Sequence, residues 1–177
     1  MKVFLFLLSL ALPVFATSIN ESLLKVHSIL VPKLYLMDYQ YKGKITNNTI
    51  KIAIIYKKSD YQAAKTLENL IHKKYTKGIQ SFAIKAFLIN YENITNTDAN
   101  IYYLFPSSES DINKAIGYAN GEDALTFSYQ SSDLQYGVMI SVNVEHKIKP
   151  ILNLLAIQTS RINLRPVLMR ISNIYYD

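Results

Sequence analysis

The chain of 177 residues contains no cysteine and no tryptophan, and only five glycines and five prolines. Without cysteine there is no disulfide framework, no thiol nucleophile and no thiolate metal site, so stability must come from the core alone. The polar segments 57–60, 107–111 and 131–133 hold none of the glycines that let a phosphate approach the backbone closely. There is no G-x-S-x-G elbow, no Walker-type phosphate loop and no H-E-x-x-H helix. The three histidines, His27, His72 and His146, fall in separate segments with no shared ligand spacing. No catalytic, cofactor-binding or metal-binding residue is therefore assigned, and a non-enzymatic protein is expected. Charged residues reach only 18% while half the chain is hydrophobic, which excludes wholesale disorder.

Lys, Ile, Asn and Tyr are plentiful, and the net charge is +6. With no aromatic-and-arginine stripe and no nucleic-acid motif, this balance reads as a solvated, mildly basic surface, and no nucleic-acid partner is expected. The first residues carry an export signal. Met1-Lys2 is a short positive start, residues 3–14 are almost wholly apolar, and Val14-Phe15-Ala16 places small residues for cleavage after Ala16. That run is shorter than the roughly 20 residues a membrane span needs. The expectation is a signal peptide over 1–16 and a single exported domain over 17–177, periplasmic and not membrane-inserted once mature.

Periodicity then sets the order of elements. Ser18 and Glu21 have capping-box spacing ahead of an apolar face of Leu23, Leu24, Val26, His27, Leu30 and Val31. Pro32 is predicted to kink or end that helix, and His27 reads as a packed histidine. Residues 50–56 form a strand, and Ser59-Asp60 caps a helix whose Ala64, Leu67, Leu70 and Ile71 face one way. Strands over 82–89 and 101–105 follow, then a short helix capped at Ser110-Asp111 and stopped by Asn120-Gly121, then a strand over 124–128. This β-α-β-β-α-β alternation predicts an α/β fold: a Rossmann-like, mostly parallel sheet covered by helices on both faces. Val138, Ile140, Val142 and Val144 alternate with polar residues, His146-Lys147 breaks the run, and residues 148–152 return as a strand. Pro150 predicts that this strand lies at a sheet edge or ends early. A helical tail completes the closure, with Leu154, Leu155 and Ile157, then Ile162, Leu164, Leu168 and Ile171 at helical spacing, and Pro166 suited to a first helical turn.

The segment 137–172 resembles the C-terminal signature of the YfiR-like family of periplasmic proteins. A strand pair ends in Asn153, Ala156 fills a small helical position, Ile162 and Leu164 form an apolar pair, and Leu168, Met169 and Ile171 match the final helix. Arg161 stands where the family usually has Gly, and Arg165-Pro166 where it has Ser-Ser; a left-handed Arg161 would cost on the order of 1 kcal/mol. The resemblance implies a regulator that binds the sensor part of an inner-membrane signalling protein, typically a diguanylate cyclase in cyclic-di-GMP signalling. It also implies a release partner at the outer membrane or cell wall, and a homodimer. Disulfide-based redox control, also part of the resemblance, is impossible without cysteine.

Three polar loops follow strands: Lys57, Lys58, Ser59 and Asp60; Ser107, Ser108, Glu109, Ser110 and Asp111; and Ser131, Ser132 and Asp133. In an open α/β sheet such loops gather at the carboxyl ends of the strands, where ligands bind, and helix N-termini attract anions. One reading is a shallow site for a small anion or nucleotide. The other is that Ser and Asp act as caps and turn formers. Glu122-Asp123 reads as a solvated acidic turn. Among fourteen tyrosines, Tyr102 and Tyr103 must face opposite sides of a strand, and Tyr35, Tyr39 and Tyr41 form a candidate interface cluster.

Overall fold

In the computed structural model, which describes residues 19–144 and 147–176, the first helix opens at Asn20. The export signal with Ala16, the Ser18 cap and the His146 turn lie outside those residues. The Asn20 side chain accepts from the Ser22 and Leu23 N–H groups at 2.8 and 3.3 Å, and α1 runs over Glu21–Tyr35. It does not end at Pro32 but continues through it to Tyr35. Val31, Pro32, Leu34 and Tyr35 are all buried, and burying large apolar side chains at about 1.5–3 kcal/mol each offsets the roughly 3 kcal/mol that an interior proline costs.

The next elements are β1 (Thr49–Tyr56), α2 (Tyr61–Lys74), β2 (Ala83–Asn90), β3 (Ile101–Leu104), α3 (Glu109–Gly121) and β4 (Leu125–Ser128). They are followed by β5 (Ile140–Asn143), β6 (Lys149–Asn153), α4 (Leu154–Gln158), α5 (Pro166–Ile171) and β7 (Asn173–Tyr175). Among the described residues one seven-stranded sheet runs in the order β2-β1-β3-β4-β5-β6-β7. Every neighbouring pair is parallel except the β5–β6 hairpin. The α/β fold is thus the one expected, with one strand more. Because β7 pairs along β6, Pro150 is not on an edge strand. It faces Val142 of β5, and the β7 ladder begins one residue later at Ile151, so the missing N–H falls outside that ladder.

Both faces of β1 are buried, which is why its sequence is a nearly unbroken apolar run. Ile50, Ile52 and Ile54 pack under α1 and α2 with Leu24, Val31, Leu67 and Ile71, a cluster that extends to Leu168 of α5. Ala53 and Ile55 point the other way, into Ile112, Ala115 and Ala119 of α3. Tyr103 joins the first cluster and Tyr102 the second, as strand alternation requires.

Left-handed backbone is taken by Asn47, Asn48, Gln80, Asp98 and Asp123, and by Gly78 and Gly137. Arg161 is not among them, so the strain foreseen for it is absent.

Candidate functional site

The chain leaves β1 toward β2 on one side and reaches β3 on the other. The carboxyl ends of β1 and β3 therefore flank the point where strand order reverses, the position at which open α/β sheets bind ligands. Lys57 leaves β1 and Ser107-Ser108 precede α3, and the two loops meet. The Lys57 ammonium lies 3.2 Å from Oδ2 of Asp111, and the hydroxyls of Ser107 and Ser108 donate to the same oxygen at 2.6 and 2.8 Å. The Ser107 hydroxyl holds the Asp111 carboxyl below its usual range, with Ser108 and Lys57 acting in the same direction against partial desolvation.

The third loop is anchored differently. Asp133 is buried; Ser128 Oγ donates to its Oδ2, and Gln130 Nε2 donates to Oδ1 at 2.7 Å. Burial pushes this carboxyl up despite both bonds. Tyr91, just past β2, donates its hydroxyl to the Phe105 carbonyl at 2.8 Å. Burial raises the pKa of that phenol, and the charges of Asp133, Asp111 and Asp60 add to the shift.

Several caps differ from expectation. Asp60 is the N-cap residue of α2, but its side chain makes no capping bond: a 3-10 turn over Lys58–Asp60 leads into the helix, and Ser59 Oγ donates to Asp60 at 3.3 Å. α3 is capped by Ser108, whose Oγ accepts from the Asp111 N–H at 3.3 Å, and Ser110 lies inside its first turn. Ser131 and Ser132 open a 3-10 turn and are exposed, as are Lys58, Ser59, Ser108 and Ser110. Lys57 and Ser107 are half-buried.

Asp111 and Asp133 are expected from the sequence as members of the polar loops, without their partners, and Tyr91, Ser128 and Gln130 are not expected as site residues. The Ser108-x-x-Asp111 spacing, a capping box with Asp in place of Glu, was a readable signal for Asp111. Tyr91 carries none, because only the tertiary fold brings it to Phe105.

Chemically the crevice offers one cation beside one carboxylate, with hydroxyls around them. Side-chain exposures of 44% for Lys57 and 31% for Asp111 leave both open to exchange with a ligand. Neither described histidine stands nearby. His27 lies under α1, wholly buried, with Nδ1 2.7 Å from the Tyr103 hydroxyl. His72 is exposed and accepts the Ala86 N–H of β2 at 3.1 Å. Among the described residues no three acidic or histidine side chains converge as metal ligands, and no helix is long and apolar enough to cross a membrane.

Two other expectations change. Glu122 is not solvated: its carboxylate takes the N–H groups of Thr97, Asp98 and Ala99, while Asp123 pairs with Arg161 at 3.2 Å. Of the tyrosine cluster near α1, Tyr35 and Tyr41 belong to the core. Only Tyr39 is exposed, under the Arg165 guanidinium at 5.4 Å.

No family model matches the chain, and no curated protein matches its sequence. Solved structures share the fold. A conserved domain protein from Vibrio cholerae O1 biovar El Tor superimposes with a TM-score of 0.58 at 12% identity, over 85% of this chain and 59% of that one. An ABC domain from Streptococcus pneumonia in complex with L-Trp gives a TM-score of 0.52 at 10% identity, over 80% and 60%. This chain thus corresponds to about three-fifths of either neighbour, and at such identities the likeness concerns the fold.

Proposed function

We propose that this protein is a non-catalytic binding module that takes a small zwitterion, of the α-amino-acid type, at the carboxyl edge of its sheet. The observation that carries this reading is the half-exposed Lys57–Asp111 pair at the point of strand reversal. A ligand ammonium replaces Lys57 on Asp111 while its carboxylate takes Lys57, so the ligand makes both charge-assisted bonds in place of the internal pair. A simple polyanion fits less well. The Asp111 carboxylate already stands beside Lys57, and the loops have no glycine for phosphate. The fold shared with an L-Trp-bound domain points the same way. The test is thermal denaturation with L-amino acids, nucleotides and inorganic phosphate in parallel. Saturating zwitterion raises Tm by several degrees, and Lys57→Ala and Asp111→Asn abolish the rise. No shift with any amino acid, or a shift untouched by both variants, refutes the site.

A second reading rests on the segment that resembles the YfiR-like family. There α4 and α5 expose Leu155, Val167, Met169 and Ile171, apolar side chains suited to a protein contact. On this reading the chain is an exported, periplasmic regulator that restrains an inner-membrane diguanylate cyclase. Deletion of its gene then raises cyclic-di-GMP and surface attachment. Unchanged levels in a clean deletion count against it.

A further inference from the structure

Both α1 and α2 run from the carboxyl edge of the sheet to its amino edge. The first starts where the Asn20 N–H meets the Tyr129 hydroxyl beyond β4, and the second connects β1 to β2. Their C-terminal ends therefore lie side by side, joined by the Tyr75 hydroxyl donating to the Ile29 carbonyl at 2.7 Å. Lys33 stands one turn after Ile29 on the same stripe of α1, and Lys73 and Lys74 close α2. Lys77 follows in the turn to β2. Lys42 comes alongside because its neighbour Tyr41 donates to Gln80 at 2.9 Å and packs its ring on Phe82. All five lysines are exposed. None of them pairs with a carboxylate of the described residues. Helix dipoles favour a cation at Lys33, Lys73 and Lys74. They do not account for Lys42 and Lys77, which lie beyond the helix ends.

We propose that this corner is a docking face for an anionic lipid surface. Its chemistry selects that partner over other polyanions. Specific protein interfaces are depleted in lysine and anchored by aromatic and arginine side chains, and the five cations here are all lysine. Nucleic acid is held through forked arginines and an element that enters a groove, and this face has neither. A row of mobile ammonium groups suits diffuse attraction to headgroups. Docked this way, the molecule turns the Lys57–Asp111 crevice away from the bilayer, because that crevice lies at the opposite edge of the sheet.

The test is co-sedimentation of the chain with vesicles of equimolar phosphatidylglycerol and phosphatidylcholine, with phosphatidylcholine alone, and a parallel titration with duplex DNA. Binding to the anionic vesicles at low salt, lost as salt rises well above about 0.1 M, is the expected result. The triple variant Lys73→Gln/Lys74→Gln/Lys77→Gln weakens it by about 100-fold. The variant Lys114→Gln/Lys147→Gln/Lys149→Gln removes the same charge elsewhere and leaves binding within a few-fold. Equal loss in both variants, no preference for anionic vesicles, or tighter binding to DNA at the same salt overturns the proposal.

Discussion

The hydroxyl of Tyr103 lies 2.7 Å from Nδ1 of His27, and both side chains are sealed from solvent between α1 and the sheet. Phe127 and Tyr129 meet the imidazole edge-on, and its Nε2 has no partner. Burial lowers the pKa of His27 from 6.5 to about 4. A histidine depressed in the folded state binds its proton first in the unfolded one, so stability is whole above pH 6.5 and falls as pH drops toward 4. The expected loss is about 1.4 kcal/mol per pH unit, about 3 kcal/mol in all. Urea unfolding of the wild type and His27→Phe across this range measures it. A slope as steep in the variant would place the effect on other groups.

Removing the phenol alone leaves both imidazole nitrogens buried without partners. Tyr103→Phe is expected to cost about 1–3 kcal/mol, and Tyr103→Phe combined with His27→Phe to recover most of that, since no orphaned polar atom then remains. A double-mutant cycle in urea decides it; additive losses would mean the two groups do not interact.

Glu122 closes the turn before β3. Its Oε1 accepts from Thr97 and Asp98 N–H at 2.6 and 3.1 Å, and its Oε2 from Ala99 N–H and the Tyr102 hydroxyl, both at 3.0 Å. Glu122→Ala is expected to lose about 2–4 kcal/mol. Glu122→Gln keeps one accepting oxygen but turns an NH2 group toward donors, so it is expected to recover only part of that loss. A loss below about 0.5 kcal/mol for Glu122→Ala in equilibrium unfolding would show that the carboxylate does not hold the turn.

Asp133 is a buried carboxylate whose pKa is raised, chiefly by desolvation. A raised carboxylate is protonated first in the folded state, so its contribution to stability grows as pH falls through the folded pKa and is unfavourable at neutral pH. Asp133→Asn keeps an acceptor for Gln130 and a donor for Ser128. It is expected to match or exceed wild-type stability at pH 7, by up to about 1 kcal/mol. A substantial loss would mean that the charge itself is required.

Gly78 has φ +73°, and a Cβ there would fall 2.1 Å from the Phe82 carbonyl oxygen. Gly78→Ala is expected to cost about 2 kcal/mol or more. Gly43→Ala, where a Cβ meets nothing within 4 Å, is expected to be neutral or slightly stabilising. Comparable Tm values for the two variants would contradict this placement of the turn.

The apolar run of β1 and the 3.6-residue face of α2 were legible because each reports burial over a few neighbouring residues. Asn153 was legible as a strand-to-helix cap: it accepts the Ala156 N–H at 3.0 Å and donates to the Leu134 carbonyl at 2.8 Å. Pro166 takes the first turn of α5 as its missing N–H suggests. Pro32 does not end its helix and Pro150 does not lie on an edge strand, because local rules treat a proline in isolation, while α1 is held by its buried face and the β6–β7 ladder starts after the proline. β7 went unforeseen because three residues are too few to show a period.

From residue order alone followed the β-α-β-β-α-β succession, the opposed faces of Tyr102 and Tyr103, and the polar character of the loops after β1, β3 and β4. Only the folded chain decided that Lys57 meets Asp111 and that Glu122 fills a cage of backbone N–H groups. The reason is physical. Periodic burial is written into neighbouring residues, whereas ion pairs and surface fields depend on distances between segments far apart along the chain.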